Sequence, residues 1–226
     1  MKRKYSEIKD DSNKKIINLL NKHLDIYCSN AWLFIGISGS GKSYLANKFI
    51  IEYPCDERYY FSPTPEPIKF WVTKHYNHEE LQIDVIKNLI IKQKQYTIFI
   101  PRIQIIINDY SSCFKEKEIK KTLEHLSMCG RHYKIDLIIL TQYYTSIPPS
   151  VRTNIQNNIY FGTTNKNELN NINRLSYETP IKSLGYFISK LNKYEYILQI
   201  PSKITGKPIF TKLKDLDIIE NISEFD

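Results

Sequence analysis

No apolar run in the chain approaches the roughly 18 residues that span a bilayer, so no membrane span is expected. The basic start Met1-Lys2-Arg3-Lys4 leads into polar residues, not into the apolar segment of a secretory signal. The expectation is a protein that works where it is made. Cysteine is scarce as well: Cys28, Cys55, Cys113 and Cys129 form no CxxC pair and no zinc-like spacing. That argues against a disulfide framework or a zinc ribbon and predicts free thiols. His75 and His78, followed by Glu79 and Glu80, are a candidate metal cluster but lack a second ligand pair. There is no internal repeat and no low-complexity linker. Glycine is rare, with seven in 226 residues, yet three of the seven fall within one octet.

What is present is ordinary for a globular chain: 42% hydrophobic and 25% charged residues. The length suits one α/β domain with a short appendage. The net charge of +8 suits a polyanionic partner such as nucleic acid. Charge speaks to association and not to fold, and lysine is enriched along the whole chain. Residues 1–30 read as a basic helical segment, with Ile16, Ile17, Leu19, Leu20 and Leu24 on amphipathic spacing. Residues 31–226 read as the main domain, ending in helices and a short strand pair.

Within that domain, short apolar runs alternate with helical spacing. Strands are predicted at Ala31–Ile35, Arg58–Phe61, Ile103–Ile107, Ile135–Leu140 and Asn158–Phe161. Helices are predicted over Ser43–Glu52, Glu79–Gln95, Phe114–Met128, Lys166–Leu175 and Ile181–Leu191. Tyr194–Ile200 and Ile209–Lys212 are predicted to pair at an edge. Runs such as Ile105-Ile106-Ile107 are typical of strands buried on both faces. The alternation therefore predicts a mainly parallel sheet with helices on both sides.

The glycine octet is Gly36-Ile37-Ser38-Gly39-Ser40-Gly41-Lys42-Ser43, a complete GxxxxGK[ST] between a strand and a helix. Its glycines let successive N–H groups turn inward as an anion nest, and the helix start adds partial positive charge. Lys42 can reach the β- and γ-phosphates, and the Ser43 hydroxyl can ligate Mg²⁺. With Tyr44, the next residue, these positions form the expected ATP-binding set. A plain glycine turn would not need Lys42-Ser43.

A phosphate loop needs a carboxylate at a neighbouring strand tip. Ile105-Ile106-Ile107-Asn108-Asp109 supplies the candidate. The usual ending is Asp-Glu, one acid for the metal and one for the attacking water. Read literally, Asn108 takes the metal position and Asp109 is the base; shifted by one, Asp109 serves the metal. Ser43, Asn108 and Asp109 are thus the candidate Mg²⁺ residues. Gln142, after Ile138-Ile139-Leu140-Thr141, ends another predicted strand and can orient water or sense the γ-phosphate. Arg131, in Gly130-Arg131-His132, is either a loop arginine or a finger donated to a neighbour's γ-phosphate. Lys42, Asp109, Gln142 and Arg131 are the candidate catalytic residues.

Together these segments resemble the FtsK–HerA superfamily of DNA-pumping ATPases, and within it the poxvirus-type genome-packaging ATPases of large DNA viruses and virophages. The resemblance rests on Gly36–Ser43, Ile105–Asp109, the block Gly130–Gln142 and the following Pro148–Asn154, and it covers about Trp32–Phe161. It implies a RecA-like core with strand order 5-1-4-3-2, ATP with Mg²⁺, and a homo-oligomeric ring, a pentamer or hexamer, around double-stranded DNA. It further implies capsid vertex proteins as partners. The setting would be the host-cell cytoplasm or a viral factory, with virion association. Arg131 is implied as the finger and Gln142 as the sensor; Asn108 departs from the family's acidic pair. Lys2–Lys4, Lys92–Lys94 and Lys115–Lys121 are the basic segments that could meet DNA phosphates.

Three other classes compete. Asn165-Lys166-Asn167-Glu168 imitates the guanine-reading Asn-Lys-x-Asp of GTPases, but ends in Glu. A small-molecule kinase would place the phosphate-loop and metal strands side by side and would carry an arginine-rich lid, whereas arginine is sparse here. A non-hydrolysing nucleotide-binding module is the third, kept alive by Asn108.

Overall fold

A computed structural model describes residues 30–52, 54–65, 71–175, 184–201, 208–214 and 217–221. The predicted helix before residue 30 and Lys2–Lys4 lie outside these residues, as does Cys28. The strands are β1 (Ala31–Ile35), β2 (Glu57–Ser62), β3 (Lys74–Asn77), β4 (Ile103–Asn108), β5 (Ile135–Thr141), β6 (Asn157–Phe161), β7 (Glu195–Pro201), β8 (Pro208–Lys214) and β9 (Asp217–Asn221). The helices are α1 (Lys42–Glu52), α2 (Ile83–Gln95), α3 (Lys117–Cys129), α4 (Pro149–Asn154), α5 (Lys166–Leu175) and α6 (Leu184–Ser189). A 3₁₀ turn at Gly130–Tyr133 joins α3 to β5.

All nine strands form one sheet, in the order β3-β2-β4-β5-β1-β6-β7-β8-β9. From β3 to β6 the neighbours are parallel; β7, β8 and β9 continue antiparallel. The mainly parallel α/β class is as expected; the five predicted strands, read as β6, β1, β5, β4 and β2, stand in the order 5-1-4-3-2, and the full order among the described residues departs from it through added strands. The sheet has nine strands, with β3 added at the parallel edge and three antiparallel strands appended beyond β6. β3 escapes a hydrophobic reading because its sequence, Lys-His-Tyr-Asn, is that of a half-exposed edge. Its His75 ring meets the Tyr60 ring edge-on at 5.2 Å. Among the described residues no three His, Cys, Asp or Glu side chains gather to hold a metal, at His75–Glu80 or elsewhere.

The isoleucine-rich strands divide the core by alternation. Ile103, Ile105 and Ile107 face one side, with Ile86, Leu89 and Ile90 of α2 and Ile119, Leu123 and Leu126 of α3. Ile106 and Ile138 face the other, with Leu45, Ala46, Phe49 and Ile50 of α1. Helices therefore cover both faces, as a sheet buried on both sides requires. Two helices begin later than predicted: α2 at Ile83, because Leu81 packs from an extended segment, and α3 at Lys117, because Tyr110–Glu116 forms successive turns. Three thiols, Cys55, Cys113 and Cys129, are free; burial pushes those of Cys55 and Cys113 up to about 11.

One buried ion pair fixes the N-terminal edge of the parallel strands. Arg102 donates from Nε to Asp136 Oδ2 at 2.8 Å and from Nη2 to Oδ1 at 3.0 Å, while the Asn30 N–H donates to Oδ1 at 2.7 Å. The starts of β1, β4 and β5 thus meet on one carboxylate. Burial pushes the Asp136 carboxyl up, and the guanidinium and the amide pull it back. Arg102→Met would leave that carboxylate buried and uncompensated, so it is expected to cost about 3–5 kcal/mol of unfolding free energy. A shift of the urea midpoint reads this, and adding Asp136→Leu should recover most of the loss.

Candidate active site

β1 ends at Ile35, and the Gly36 N–H donates to Thr141 O of β5 at 3.1 Å, which anchors the loop to its neighbour. A side chain at Gly36 would lie 2.6 Å from Phe161 Cβ and 2.8 Å from Ser40 Oγ, so only glycine allows β6 this close. Gly39 and Gly41 take φ of 74° and 102°, the conformations that turn the intervening amides inward. Space is open at Gly39, and Ser40 Oγ is buried with no hydrogen-bond partner among the described residues. Lys42 opens α1 and is 5% exposed. Its ammonium donates to Gly36 O at 2.6 Å and Ile37 O at 3.1 Å, so it is folded back over the loop mouth. Ser43 and Tyr44 follow on the first turn. A nest, a buried cation and a helix start on one site form an anion cradle.

β5 lies between β1 and β4. The tips of three adjacent strands therefore carry the loop, Gln142 and Asn108-Asp109 at one edge. The insertion of β5 removes the side-by-side arrangement that a small-molecule kinase would require. Asn108 is the fully buried last residue of β4, level with Leu140. Asp109 turns off the strand at φ 56°, and its N–H donates to Leu140 O at 3.0 Å. Asp109 Oδ1 is buried and finds no hydrogen-bond partner among the described residues. A carboxylate oxygen so placed can take a metal ion or a water proton.

Sequence reasoning missed the hydroxyls that join these tips. Thr141 Oγ1 lies 3.1 Å from Ser111 Oγ and 2.9 Å from Ser146 Oγ. The acid-bearing turn after β4, the tip of β5 and the turn after it are thus linked side chain to side chain. Asn165 and Glu168 have structural tasks of their own. Asn165 Oδ1 accepts from the N–H groups of Asn167 and Glu168, at 3.0 and 3.3 Å, and so caps α5. The Glu168 carboxylate accepts from Tyr144 N at 3.0 Å and Thr145 Oγ1 at 2.6 Å. The guanine-reader lookalike is a helix cap and a brace for the segment after Gln142. No spacing rule announces the Thr141–Ser111 contact or the Glu168 brace, because each joins residues far apart in sequence.

Arg131 stands apart from the loop. It is exposed on the 3₁₀ turn that precedes β5, whereas the phosphate loop abuts the end of β5. Seven strand residues separate the two edges by about 20 Å, so Arg131 cannot reach the loop of its own chain. Its platform is firm: buried Gln93 of α2 donates from Nε2 to Tyr133 O at 2.9 Å and Pro101 O at 2.7 Å. Of the basic segments, Lys92 pairs with Glu57 and Lys94 lies over the Tyr133 ring, while Lys120 pairs with Glu124.

No family model matches the chain. It is 31% identical over 143 residues to the uncharacterized protein 075L of Invertebrate iridescent virus 6. The match takes in 61% of this chain, which spans about half (52%) of that curated relative. Among solved structures, the DNA-packaging ATPase B204 of Sulfolobus Turreted Icosahedral Virus superposes with a TM-score of 0.61 at 17% identity, over 80% of this chain and 96% of that one. The genome packaging NTPase B204 of Sulfolobus turreted icosahedral virus 2, in complex with AMPPCP, gives 0.60 at 20% identity with the same coverage. EssC of Geobacillus thermodenitrificans (ATPases 2 and 3) gives 0.58 at 14%, over 89% of this chain and 42% of that one. The chain has the fold of these P-loop ATPases. No helix among the described residues is long and apolar enough to cross a membrane.

Proposed function

We propose that this protein is an ATPase of the FtsK–HerA type, in its poxvirus-like branch, that translocates double-stranded DNA and packages a viral genome. The observation that carries the reading is the split between the two edges of the sheet. Lys42, Ser43, Gln142 and Asp109 share one edge, while Arg131 is held at the other. A head-to-tail ring brings the second edge of one subunit to the first edge of the next.

Within that reading, the loop amides and Lys42 hold the triphosphate and take up charge that develops on the β–γ bridge. Asp109 accepts the proton of the attacking water, and Gln142 orients that water. With Asp109 as the base, Asn108 and Ser43 would hold Mg²⁺; were Asp109 and Ser43 to hold it instead, the base would lie elsewhere. When bound, Mg²⁺ neutralises charge on the phosphate oxygens. A neighbour's Arg131 completes the site. Asn108 favours one competing reading, a module that binds nucleotide without hydrolysing it; measurable turnover by the wild-type protein excludes that.

Double-stranded DNA is expected to stimulate ATP hydrolysis in dilute salt. Because the contacts would be to phosphates, stimulation should fall linearly in log-log form as salt rises and should be indifferent to sequence. Steady-state phosphate release with and without duplex tests this, and an absence of stimulation at low salt would remove the translocase assignment.

A further inference from the structure

The rim of the phosphate loop carries two tyrosines that the chemistry above does not use. Tyr44 follows Ser43 on α1. Tyr194 immediately precedes β7. Because β7 runs antiparallel to β6, with Phe161 opposite Tyr196, the start of β7 returns to the loop edge. The sequence had suggested that Tyr194 begins that strand; instead its backbone takes φ 67°, a left-handed conformation that is a strain for a bulky residue and recurs at ligand clamps. The strain places its ring over the loop: a Cβ built on Gly41 would lie 3.1 Å from Tyr194 Cδ1.

The two rings meet at a tilt and leave part of each exposed. Their centroids are 6.3 Å apart and their planes are inclined at 57°. Tyr44 is 44% and Tyr194 46% exposed. Each has a cation on its face, with Lys48 Nζ 4.6 Å from the Tyr44 centroid and Lys193 Nζ 5.1 Å from that of Tyr194. Exposed aromatic area of this size, beside an anion cradle and flanked by two lysines, suits a flat heterocycle joined to phosphate. A triphosphate lying along the nest points its α-phosphate, and so its sugar and base, toward the start of α1.

We propose that Tyr44 and Tyr194 form the nucleobase slot of this site, with Lys48 and Lys193 beside the α-phosphate and the rings. The proposal rests on reading Gly36–Ser43 as a triphosphate cradle. Stacking recognises the π-face and not the hydrogen-bonding edge, so the slot takes purine nucleoside triphosphates without separating adenine from guanine.

The test compares ATP with inorganic tripolyphosphate, which has the phosphates and no base. Calorimetric titration of the wild-type chain and of Tyr44→Ala, Tyr194→Ala and Tyr194→Phe gives the affinities. Each alanine variant should bind ATP and GTP about 10-fold more weakly and bind tripolyphosphate as wild type does, and Tyr194→Phe should restore ATP binding. Equal loss of both ligands would mean that the rings only brace the loop and would overturn the slot. Unchanged ATP affinity in both alanine variants would overturn it as well. A wild-type chain that binds neither ligand would instead overturn the triphosphate cradle, and the slot with it.

Discussion

Lys42→Ala is expected to lower steady-state ATP hydrolysis by roughly a thousandfold, with the fold intact by circular dichroism. The cation it removes is buried at the loop mouth, held by the carbonyl oxygens of Gly36 and Ile37. With triphosphate present, the same ammonium can swing to the β–γ bridge while the loop amides keep the remaining oxygens. No other lysine or arginine among the described residues lies in the octet or on its neighbouring strand tips, so no side chain there replaces it. Lys42→Arg is expected to fail nearly as badly, because a planar guanidinium does not fit a place shaped for a point charge. Turnover by Lys42→Ala close to wild type would remove the octet from the chemistry.

Arg131→Ala should reduce hydrolysis by about 10³–10⁵-fold, the range for loss of an arginine finger, and should leave nucleotide affinity and thermal stability unchanged. The side chain is exposed and lies about 20 Å from the loop of its own subunit, so a loss of turnover can arise only across a subunit boundary. Complementation separates this from a local defect. Lys42→Ala subunits keep Arg131, and Arg131→Ala subunits keep the loop, so mixtures should regain part of the activity that neither variant has alone. Co-assembly shown by sedimentation without any recovery would rule out donation in trans.

The parts legible in the sequence were those written in local chemistry. The GxxxxGK[ST] octet carries its geometry in its glycines, and strands such as Ile103–Asn108 declare themselves through branched side chains buried on both faces. The insertion of β5 between β1 and β4, which aligns Gln142 with Asp109, was expected only from the family resemblance and its order 5-1-4-3-2. What stayed hidden was non-local. β3 has the polar pattern of an exposed edge, and its pairing with β2 is decided by backbone hydrogen bonds that any side chain permits. The β7–β8 pair was expected at an edge, but nothing in the apolar runs announced β3 at one edge or β9 at the other. The Thr141–Ser111 hydroxyl contact and the Glu168 brace join segments 23 to 30 residues apart. Tyr194 was read as strand because its neighbours are, while the demands of packing over Gly41 forced it out of that conformation.

The carboxylate of Asp136 has a mechanical consequence. It gathers the starts of β1, β4 and β5 at the edge from which Arg131 projects, and Gln93 ties the same edge to α2. A pull applied there would load the β4–β5 and β5–β1 hydrogen-bond ladders together in shear, instead of peeling one strand at a time. The edge that would grip a neighbour is therefore cross-tied at the strand starts. Force generated where the triphosphate breaks would pass through the subunit as a push on a solid body, with little lost to stretching.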